Sequence, residues 1–547
     1  MRTAALGVAL LAAASAMGLT IEAERAPVAT AGQKMPDGWN LHSNGRLGAP
    51  LRLARAGRYR VVVRARGSPC RGKWPTMVLL VDGRPRGRTT VASAEFRDYT
   101  FQTELPEGLC ALTVAFTNDA VAGGEDRNLY LDRIVVQPPE GVPDPVPASS
   151  EEMAMAAQRG EDAEVARARR QIDQVRQRDV TLRVVDRAGK PVAETDVRVE
   201  LGRHDFLFGC NIYMFDRFKT AQENEAYKRR FRELFNYATV GFYWRGYEWE
   251  RGKPNYPYTD QVVAWCREHG IAMKGHPLLW DHRAGRPRWA GDKQPPPEVQ
   301  RQRVAAILDR YADDIHYWEV VNEPAHLRGV PIEGPYRWAH EAAPDAYLIL
   351  NDYHVMADGY PPFFELCKRA IAEGVPFQGI GIQAHEPRTM RFPLPRVREI
   401  LDHYATLGKE LHITEFTPTS GRQKVTGSHV EGVWDEAAQA DYAVKFYTVC
   451  FAHPAVVGIT WWDLCEQGAW LEGGGLLRPD LEPKKVYTAL RRLIHEEWHT
   501  RVEGKTDGEG RLAFRGFRGT YAVEAAGKRA TVHIGEAEPR EVRVVVE

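Results

Sequence analysis

The chain has 547 residues, more than the length of one domain, and its 44% hydrophobic and 27% charged residues are typical of globular domains with sizeable cores. Lys and Arg total 73 and Asp and Glu total 73, so the formal net charge is +0. This balance gives no electrostatic reason to expect nucleic acid or an anionic membrane as a partner.

Residues 1–19 have the pattern of a secretory signal peptide. Arg2 supplies a positive charge, residues 4–13 are apolar, and Ala14-Ser15-Ala16 is a cleavage motif of small residues. The apolar run is too short to span a bilayer, and no later run is long and apolar enough. We therefore expect a secreted protein, extracellular or periplasmic, that is monomeric and has no membrane anchor.

The cysteines give no metal or redox motif, because the sequence contains no C-x-x-C among its 7 cysteines. Cys70 and Cys110 lie in the same N-terminal region and could form a disulfide in a secreted protein. For the remaining five we expect mostly buried free thiols: Cys210, Cys266, Cys367, Cys450 and Cys465.

Residues 20–138 have the alternation and turn signals of an all-β domain. Short strand-like runs, such as residues 59–65 and 129–136, are separated by turns such as Asp82-Gly83. This pattern predicts a β-sandwich. Near its end, residues 116–132 carry Asp119, Asp126 and Asn128 within Gly-rich loops, an oxygen-rich pattern that suits Ca²⁺ but that ordinary polar turns would explain equally well.

Three further segments surround the rest of the chain. Residues 139–179 are predicted to form a Pro-rich, extended linker followed by a charged, solvated helix capped by Ser149 or Ser150. Residues 180–205 are predicted to form a β-hairpin, with a turn at residues 186–190. Residues 501–547 are again β-like but too few for a core of their own, so we expect them to pack with that hairpin into one small β unit.

Residues 206–500 alternate strand-like and helix-like segments. The predicted strands are 206–211, 237–242, 271–276, 317–322, 347–351, 379–383, 411–415 and 457–462, each followed by a helical pattern. Most of these strands are continuous apolar runs, as expected for parallel strands that are buried on both faces. The pattern predicts a (β/α)₈ barrel.

Two of these strands end in a glutamate. Trp318-Glu319-Val320-Val321-Asn322-Glu323-Pro324 is a β-branched run that Pro324 terminates, and Leu411-His412-Ile413-Thr414-Glu415-Phe416 is a second run of the same kind. The carboxyl ends of barrel strands are where such folds carry catalytic groups. A pair of carboxylates on that face is the requirement of glycoside hydrolysis, although an isolated strand-end glutamate is often only solvated.

The N-terminal region, residues 20–138, resembles the calcium-dependent, xylan-binding type of carbohydrate-binding module. The specific part of the resemblance is Phe116-Thr117-Asn118-Asp119 followed by Asp126-Arg127-Asn128-Leu129-Tyr130-Leu131-Asp132. The resemblance implies that Asp119, Asp126 and Asn128 bind calcium and, through it, sugar hydroxyls, and that Glu24 holds a second, structural ion.

Residues 206–500 resemble glycoside hydrolase family 10, the retaining β-xylanases. Besides the two strand-end glutamate segments, the motifs that carry the resemblance occur in the family's order: Lys274 to Trp280, Asn351-Asp352-Tyr353, Gly379 to His385, Thr460-Trp461-Trp462, Gly475-Leu476-Leu477 and Pro483-Lys484. The resemblance implies a secreted enzyme that hydrolyses internal β-1,4-xylosidic bonds of xylan or a related plant cell-wall β-glycan, with no cofactor for catalysis.

The same resemblance implies a role for individual residues. Glu323 is expected to be the general acid/base and Glu415 the nucleophile, while Asn322 binds the sugar 2-OH and His385 orients Glu415. The subsite of the reacting sugar is expected to be lined by four further residues: His276, Gln383, Trp462 and Trp470.

The chain departs from the family pattern on the glycone side. The family's Glu-Asn…Lys-Trp segment corresponds here to residues 241–249, which contain neither that Asn nor that Lys. The His that follows the strand-three Trp is Asp281 here, with His282 one position later, and the family's Asp between the late tryptophans is Glu466. The alternatives are therefore a related β-glycanase or exo-acting glycosidase with the same two glutamates, or a carbohydrate-binding protein that does not catalyse.

Overall fold

The computed structural model describes residues 18–291, 293–357, 359–385, 388–537 and 540–546. The predicted signal peptide, residues 1–19, lies outside this description except for Gly18 and Leu19. The chain divides between Arg159 and Gly160 into two compact units. In the described part of the chain, no helix combines the length and apolar character needed to cross a membrane.

The first unit is built from antiparallel strands. In chain order they are β1 (Leu19–Glu22), β2 (Val28–Ala29), β3 (Gln33–Met35), β4 (Gly38–Leu41), β5 (Gly45–Leu53), β6 (Gly57–Ser68), β7 (Thr76–Val81), β8 (Arg84–Thr90), β9 (Arg97–Leu105), β10 (Gly108–Phe116), β11 (Val121–Ala122), β12 (Glu125–Asp126), β13 (Asn128–Gln137) and β14 (Val146–Pro147).

Twelve of these strands form two six-stranded sheets, and β11 and β12 pair with each other. One has the order β3-β4-β13-β6-β9 with β1 on β13, and the other has the order β14-β5-β10-β7-β8 with β2 on β5. Alternate residues of β6, such as Tyr59, Val61 and Val63, are fully buried, so the period-2 pattern places one face of the sheet in the core. The predicted β-sandwich is confirmed.

The predicted linker does not lie free of this unit. Val142 is buried in its core, and β14 pairs with β5. The helix that follows, α1 (Ser150–Val175), is capped at Ser149 as predicted, because Ser149 Oγ accepts from Glu152 N at 3.1 Å. The expectation of a solvated helix is wrong, since Ala168 and Ile172 of α1 belong to the core of the second unit.

The second unit contains the remaining strands and helices. In chain order they are β15 (Gln177–Val185), β16 (Asp196–His204), β17 (Leu207–Asn211), α2 (Ala221–Leu234), β18 (Tyr237–Gly241), α3 (Trp244–Tyr247), β19 (Glu248–Glu250), β20 (Lys253–Pro254), α4 (Tyr256–Glu268), β21 (Ala272–His276), β22 (Leu279–Trp280), α5 (Pro297–Tyr311), β23 (Tyr317–Asn322), α6 (Glu333–Ala342), β24 (Tyr347–Asp352), α7 (Pro361–Ala372), β25 (Gly379–Ile382), α8 (Leu394–Ala405), β26 (Glu410–Phe416), α9 (Glu436–Ala452), β27 (Val456–Trp461), α10 (Lys485–Arg492), β28 (Arg501–Lys505), β29 (Arg511–Phe517), β30 (Gly519–Ala525), β31 (Lys528–Ile534) and β32 (Glu541–Val545).

Eight of these strands close into a parallel barrel in the order β17-β18-β21-β23-β24-β25-β26-β27, with β27 pairing back to β17. The eight predicted strands are these eight, with ends that agree to within two residues. Close packing inside the barrel demands glycine at Gly275, where a Cβ would lie 2.2 Å from the ring of Trp318. The predicted (β/α)₈ barrel is confirmed, and its carboxyl edge positions the residues described below.

A small second β structure flanks the barrel. Its two sheets have the orders β29-β15-β32 and β28-β16-β30-β31, so residues 501–545 pack with residues 177–204 as predicted. The hairpin expected for residues 180–205 is wrong, because β15 and β16 belong to different sheets. The turn itself forms, with Asp186 N donating to Lys190 O at 3.0 Å, but it carries the chain from one sheet to the other.

The cysteines are free thiols in the part of the chain that the structure describes, and all of them are buried. The disulfide that Cys70 and Cys110 could have formed is therefore absent, since both are free thiols. Cys110 lies inside β10, where burial raises the pKa of its thiol to about 12.

Candidate active site and candidate calcium site

Glu323 begins the loop that follows β23, the fourth barrel strand. Its backbone has φ +56°, in the left-handed region that non-glycine residues rarely adopt, at a cost of about 1–3 kcal/mol. The turn is held by Glu323 N, which donates to Asn351 O at 3.0 Å, and by Glu323 O, which accepts from Leu327 N at 2.8 Å. The strained backbone therefore belongs to the residue predicted to be the general acid/base.

The side chain of Glu323 is held by two donors. Trp280 Nε1 donates to Oε2 at 3.0 Å, and Gln383 Nε2 donates to Oε1 at 3.0 Å. The pKa of Glu323 is raised to about 7, chiefly by burial and also by the negative charges of Glu415 and Asp352, against the two hydrogen bonds, which lower it. Near neutral pH a large share of Glu323 is thus protonated, as a general acid requires.

Glu415 lies near the end of β26, the seventh barrel strand, and is buried. Asn351 Nδ2 donates to its Oε1 at 3.2 Å, and His385 Nε2 lies 3.2 Å from its Oε2. Both carboxylate oxygens are therefore oriented, which is the role predicted for His385. Glu415 N also donates to Gln383 O at 3.1 Å, so Gln383 contacts both glutamates.

Asn351, at the end of β24, determines how Asn322 is oriented. Its Nδ2 donates to Asn322 Oδ1 at 2.9 Å as well as to Glu415, and its Oδ1 accepts from Thr414 Oγ1 at 2.6 Å. Because Asn322 Oδ1 accepts this bond, the Nδ2 group of Asn322 is left as a donor. That orientation agrees with the predicted hydrogen bond from Asn322 to a sugar hydroxyl.

A buried charged cluster lies beneath Glu415. Lys274 Nζ donates to Glu319 Oε1 at 2.6 Å, and His276 Nδ1 hydrogen-bonds Glu319 Oε2. Burial alone would raise the pKa of Glu319, but Lys274 and His276 lower it to about 2. One ligand-type atom each of His276, Glu319 and Glu415 lie within 4.8 Å of one another, so the cluster adjoins Glu415.

His276 has both ring nitrogens occupied by protein groups. Its Nε2 lies 3.1 Å from the hydroxyl of Tyr243, and the two rings are in edge contact at 5.5 Å. His276 was predicted to line the subsite of the reacting sugar. The structure places Tyr243 beside it, within the segment 241–249 that departs from the family pattern.

The two late tryptophans differ in exposure. Trp462 is buried and makes edge contacts with His276 at 5.4 Å and with Tyr213 at 5.7 Å. Trp470 is 46% exposed, and its ring centroid lies 4.6 Å from that of His385. Trp470 therefore has more exposed ring surface than Trp462, and the guanidinium of Arg388 lies over that ring, 4.7 Å from its centroid.

The other departures are tied into the local structure. Asp281 accepts from Arg286 at 2.6 Å and from Gly329 N at 2.9 Å. Glu466 pairs with the buried Lys484 at 2.7 Å. Both carboxylates therefore position loops around the site.

In the first unit, the three predicted calcium ligands lie before and after β11–β12: Asp119 precedes β11, Asp126 ends β12 and Asn128 begins β13. Arg127 joins the loops, because its guanidinium donates to the carbonyl oxygens of Lys73, Asn118 and Cys70. Asn128 Nδ2 donates to Asp126 Oδ2 at 2.9 Å, which leaves Asn128 Oδ1 as an acceptor.

The oxygen atoms at this place fit a calcium ion. Among the described residues, the buried atoms Asp119 Oδ1 and Asn128 Oδ1 have no hydrogen-bond partner. A buried oxygen without a partner costs about 1–3 kcal/mol, and a hard cation with oxygen ligands would remove that cost. Glu24 lies in the 3-10 turn after β1, with its carboxylate 3.9 Å from Arg25.

Sequence reasoning did not assign roles to Trp280, Asn351, Glu319 or Tyr243. Asn351 follows the same strand-end rule as the two glutamates and could have been found by it. Glu319 is a charged residue inside an otherwise apolar strand, which is itself a signal of a buried partner. Tyr243 gave no such signal, because its position beside His276 depends on how two separate strands meet.

The (β/α)₈ barrel carries two glutamates at the carboxyl ends of its fourth and seventh strands, and one of them, Glu323, is about half protonated near pH 7. This is the architecture of a glycoside hydrolase. The chain belongs to glycosyl hydrolase family 10, whose model matches residues 202–493. Residues 60–150 match the model of a Ca-dependent carbohydrate-binding module, xylan-binding.

Curated relatives match about two thirds of this chain. "Endo-1,4-beta-xylanase 2" of Arabidopsis thaliana is 29% identical over 65% of this chain and 33% of its own length. "Anti-sigma-I factor RsgI6" of Acetivibrio thermocellus is 26% identical over 66% of this chain and 46% of its own length. The chain thus spans between a third and a half of the length of these relatives.

One solved structure similar to this chain is "xylanase 10B from Thermotoga petrophila RKU-1 in complex with xylobiose". It is 24% identical and covers 54% of this chain and 95% of that chain, with a TM-score of 0.46.

Proposed function

We propose that this protein is a secreted retaining glycoside hydrolase that cleaves internal β-1,4-xylosidic bonds of xylan. The observation that carries the proposal is the pair Glu323 and Glu415 on one barrel edge, with the pKa of Glu323 raised to about 7 and both oxygens of Glu415 held by Asn351 and His385. Retaining hydrolysis needs one carboxyl group as acid and one carboxylate as nucleophile.

In the first step, the Glu415 carboxylate attacks the anomeric carbon, and the bond from that carbon to the glycosidic oxygen breaks. Glu323 gives its proton to the departing oxygen. The product is a sugar ester of Glu415, and the configuration at the anomeric carbon is inverted. A hydrogen bond from Asn322 Nδ2 to the sugar 2-OH strengthens as charge develops at the anomeric carbon.

In the second step, Glu323, now a carboxylate, takes a proton from water while the water oxygen attacks the anomeric carbon. The ester bond to Glu415 breaks and its carboxylate is restored, so the second inversion gives net retention. Since charge returns to Glu323 between the steps, Trp280 and Gln383 stabilise the ionised form that acts as base.

The first unit is proposed to hold the polysaccharide through calcium. Asp119, Asp126 and Asn128 would bind the ion, which when bound offers coordination positions to sugar hydroxyls. A module that binds the same polymer raises the local substrate concentration without new contacts at the catalytic site.

The test is hydrolysis of glucuronoxylan, carboxymethyl-cellulose and mixed-linkage glucan, with product sizes and the anomeric form of the first product measured. We expect short β-configured xylo-oligosaccharides from xylan alone, and loss of nearly all turnover in Glu415→Ala. Products from another β-glycan only would refute the substrate but keep the mechanism. Release of single terminal sugars would refute internal cleavage.

A second candidate function is carbohydrate binding without turnover, because one relative carries the name of an anti-sigma factor and no enzyme name. In that case the wild-type protein and Glu415→Ala would bind xylan equally and neither would release products. Azide rescue separates the two functions further, since a small nucleophile restores turnover to Glu415→Ala only where Glu323 already acts as the acid.

A further inference from the structure

The glycone side of the barrel contains a cavity of about 290 Å³ that the proposed reaction does not use. It lies between the loop after β17 and the region from the end of β18 to α4, and Tyr213 and Tyr243 line it. The two hydroxyl groups are 3.5 Å apart, and Tyr243 also contacts His276. The two tyrosines therefore form a wall that the cavity shares with the catalytic centre.

The lining of the cavity suits a sugar ring. Tyr213, Tyr243, Tyr247 and Tyr258 contribute aromatic surface, and the exposed polar residue Asn255 is also part of the lining. Aromatic faces with a few polar groups are the usual composition of small-molecule sites. The volume equals that of about ten liquid water molecules, which is the scale of one monosaccharide and not of a longer chain.

Arg217 gives the cavity a positive charge. Its guanidinium lies over the ring of Tyr258, 4.3 Å from the centroid, and its Nε donates to Tyr258 Oη at 3.2 Å. No carboxylate forms an ion pair with Arg217 among the residues that the structure describes, because the neighbouring Asp216 pairs with Lys228 at 2.8 Å. A guanidinium held against an aromatic ring with its other N–H groups available is a typical carboxylate-binding group.

We propose that this cavity binds a uronic-acid branch of the polysaccharide, with the sugar ring against the tyrosines and its carboxylate on Arg217. The proposal rests on the proposed function, since it refines the substrate class to an acidic, branched xylan. It also gives a role to segment 241–249, which lacks the family's Asn and Lys but supplies Tyr243 and Tyr247 to the cavity.

The test measures ligand binding to the full-length Glu415→Ala protein, so that no ligand is hydrolysed. Calorimetric titrations use two xylo-oligosaccharides of equal length, one with a single glucuronate branch and one in which the branch carboxylate has been reduced to an alcohol. We expect the acidic ligand to bind about tenfold more tightly than the reduced one. This is the lower end of the range for a hydrogen bond to a charged group, because Arg217 is exposed. Any binding by the first unit is common to all variants, so a change of the ratio between variants reports on the cavity.

When Arg217→Gln is combined with Glu415→Ala, the ratio of the two dissociation constants should fall close to one. Lys219→Gln removes an exposed charge two residues away and should leave the tenfold ratio unchanged. Equal binding of both ligands, or a ratio that survives Arg217→Gln, would overturn the inference. If the wild type hydrolyses xylan but the ratio of dissociation constants does not depend on Arg217, only the inference about the cavity is refuted. If the ratio depends on Arg217 but the wild type does not hydrolyse xylan, only the proposed function is refuted.

Discussion

Replacing Trp280 with phenylalanine should raise the pKa of Glu323. The substitution keeps an aromatic ring but removes the Nε1–H group that donates to Glu323 Oε2 at 3.0 Å. This bond stabilises the carboxylate more than the acid, so the proton is held more tightly without it. A hydrogen bond to a charged group contributes about 1.5–3 kcal/mol, and one pKa unit corresponds to about 1.4 kcal/mol.

The lower end of that range applies, because Gln383 still holds the other oxygen and Glu323 is only partly buried. The pKa should therefore rise by about one unit, from about 7 to about 8. General-acid catalysis is lost as Glu323 ionises, so the basic limb of kcat/KM should move upward by the same amount. At pH 8 the wild type should retain about a tenth of its maximal kcat/KM and the variant about half.

The assay is the pH dependence of kcat/KM on an unsubstituted xylo-oligosaccharide between pH 4 and 9. The position of the basic limb is informative even if the substitution lowers the absolute rate. Trp338→Phe, on α6, is the matched control and should leave the limb in place. A limb that stays fixed in Trp280→Phe, or that moves to lower pH, would show that Trp280 does not tune this acid.

The remaining predictions concern stability and calcium. Glu161 is buried and makes two hydrogen bonds, of 2.6 and 2.7 Å, to the guanidinium of Arg391. Glu161→Ala should therefore lower the free energy of unfolding of the second unit, measured by urea denaturation, by about 3–5 kcal/mol. The control Glu164→Ala breaks an ion pair to an exposed arginine and should lower it by less than about 1 kcal/mol. Equal costs would contradict the burial argument. Asn128→Ala or excess EDTA should each weaken xylan binding in affinity gels without changing kcat on short oligosaccharides, and an unchanged gel mobility would argue against calcium at this place. Burial raises the pKa of Glu319, but its lysine and histidine partners lower it to about 2. The ionised Glu319 therefore contributes stability that is complete above pH 4.5 and is lost as the pH falls toward 2. Glu319→Gln should flatten the pH dependence of the free energy of unfolding in that window.

The barrel and the sandwich of the first unit could be predicted from local patterns. Each barrel strand is a short apolar run bounded by turn residues, and such runs fix both the identity and the ends of the elements. The sequence also predicted that Glu323 and Glu415 lie on the same edge of the barrel, because the carboxyl ends of parallel strands meet at one edge. The two carboxyl groups of the candidate active site could thus be identified from the sequence, without their geometry.

The errors have a common physical cause, which is that tertiary partners were not visible locally. The turn at residues 186–190 suggested that its two flanking strands pair, but each finds partners from residues 501–545. Helix α1 was expected to be solvated because it is rich in charge, yet Glu161 is buried against Arg391. Tyr243 was recognised only as a departure, because its contact with His276 joins two strands that the sequence separates.

The pairing of β15 between β29 and β32 also sets an order of events during synthesis. Thr181 lies opposite Ala513 on one side and Glu541 on the other, so β15 leaves the ribosome long before either neighbour exists. Until then both of its edges are open, and open edges are sites of wrong pairing. The small second β structure can therefore close only after every barrel strand has been made, and its formation marks the completion of the second unit.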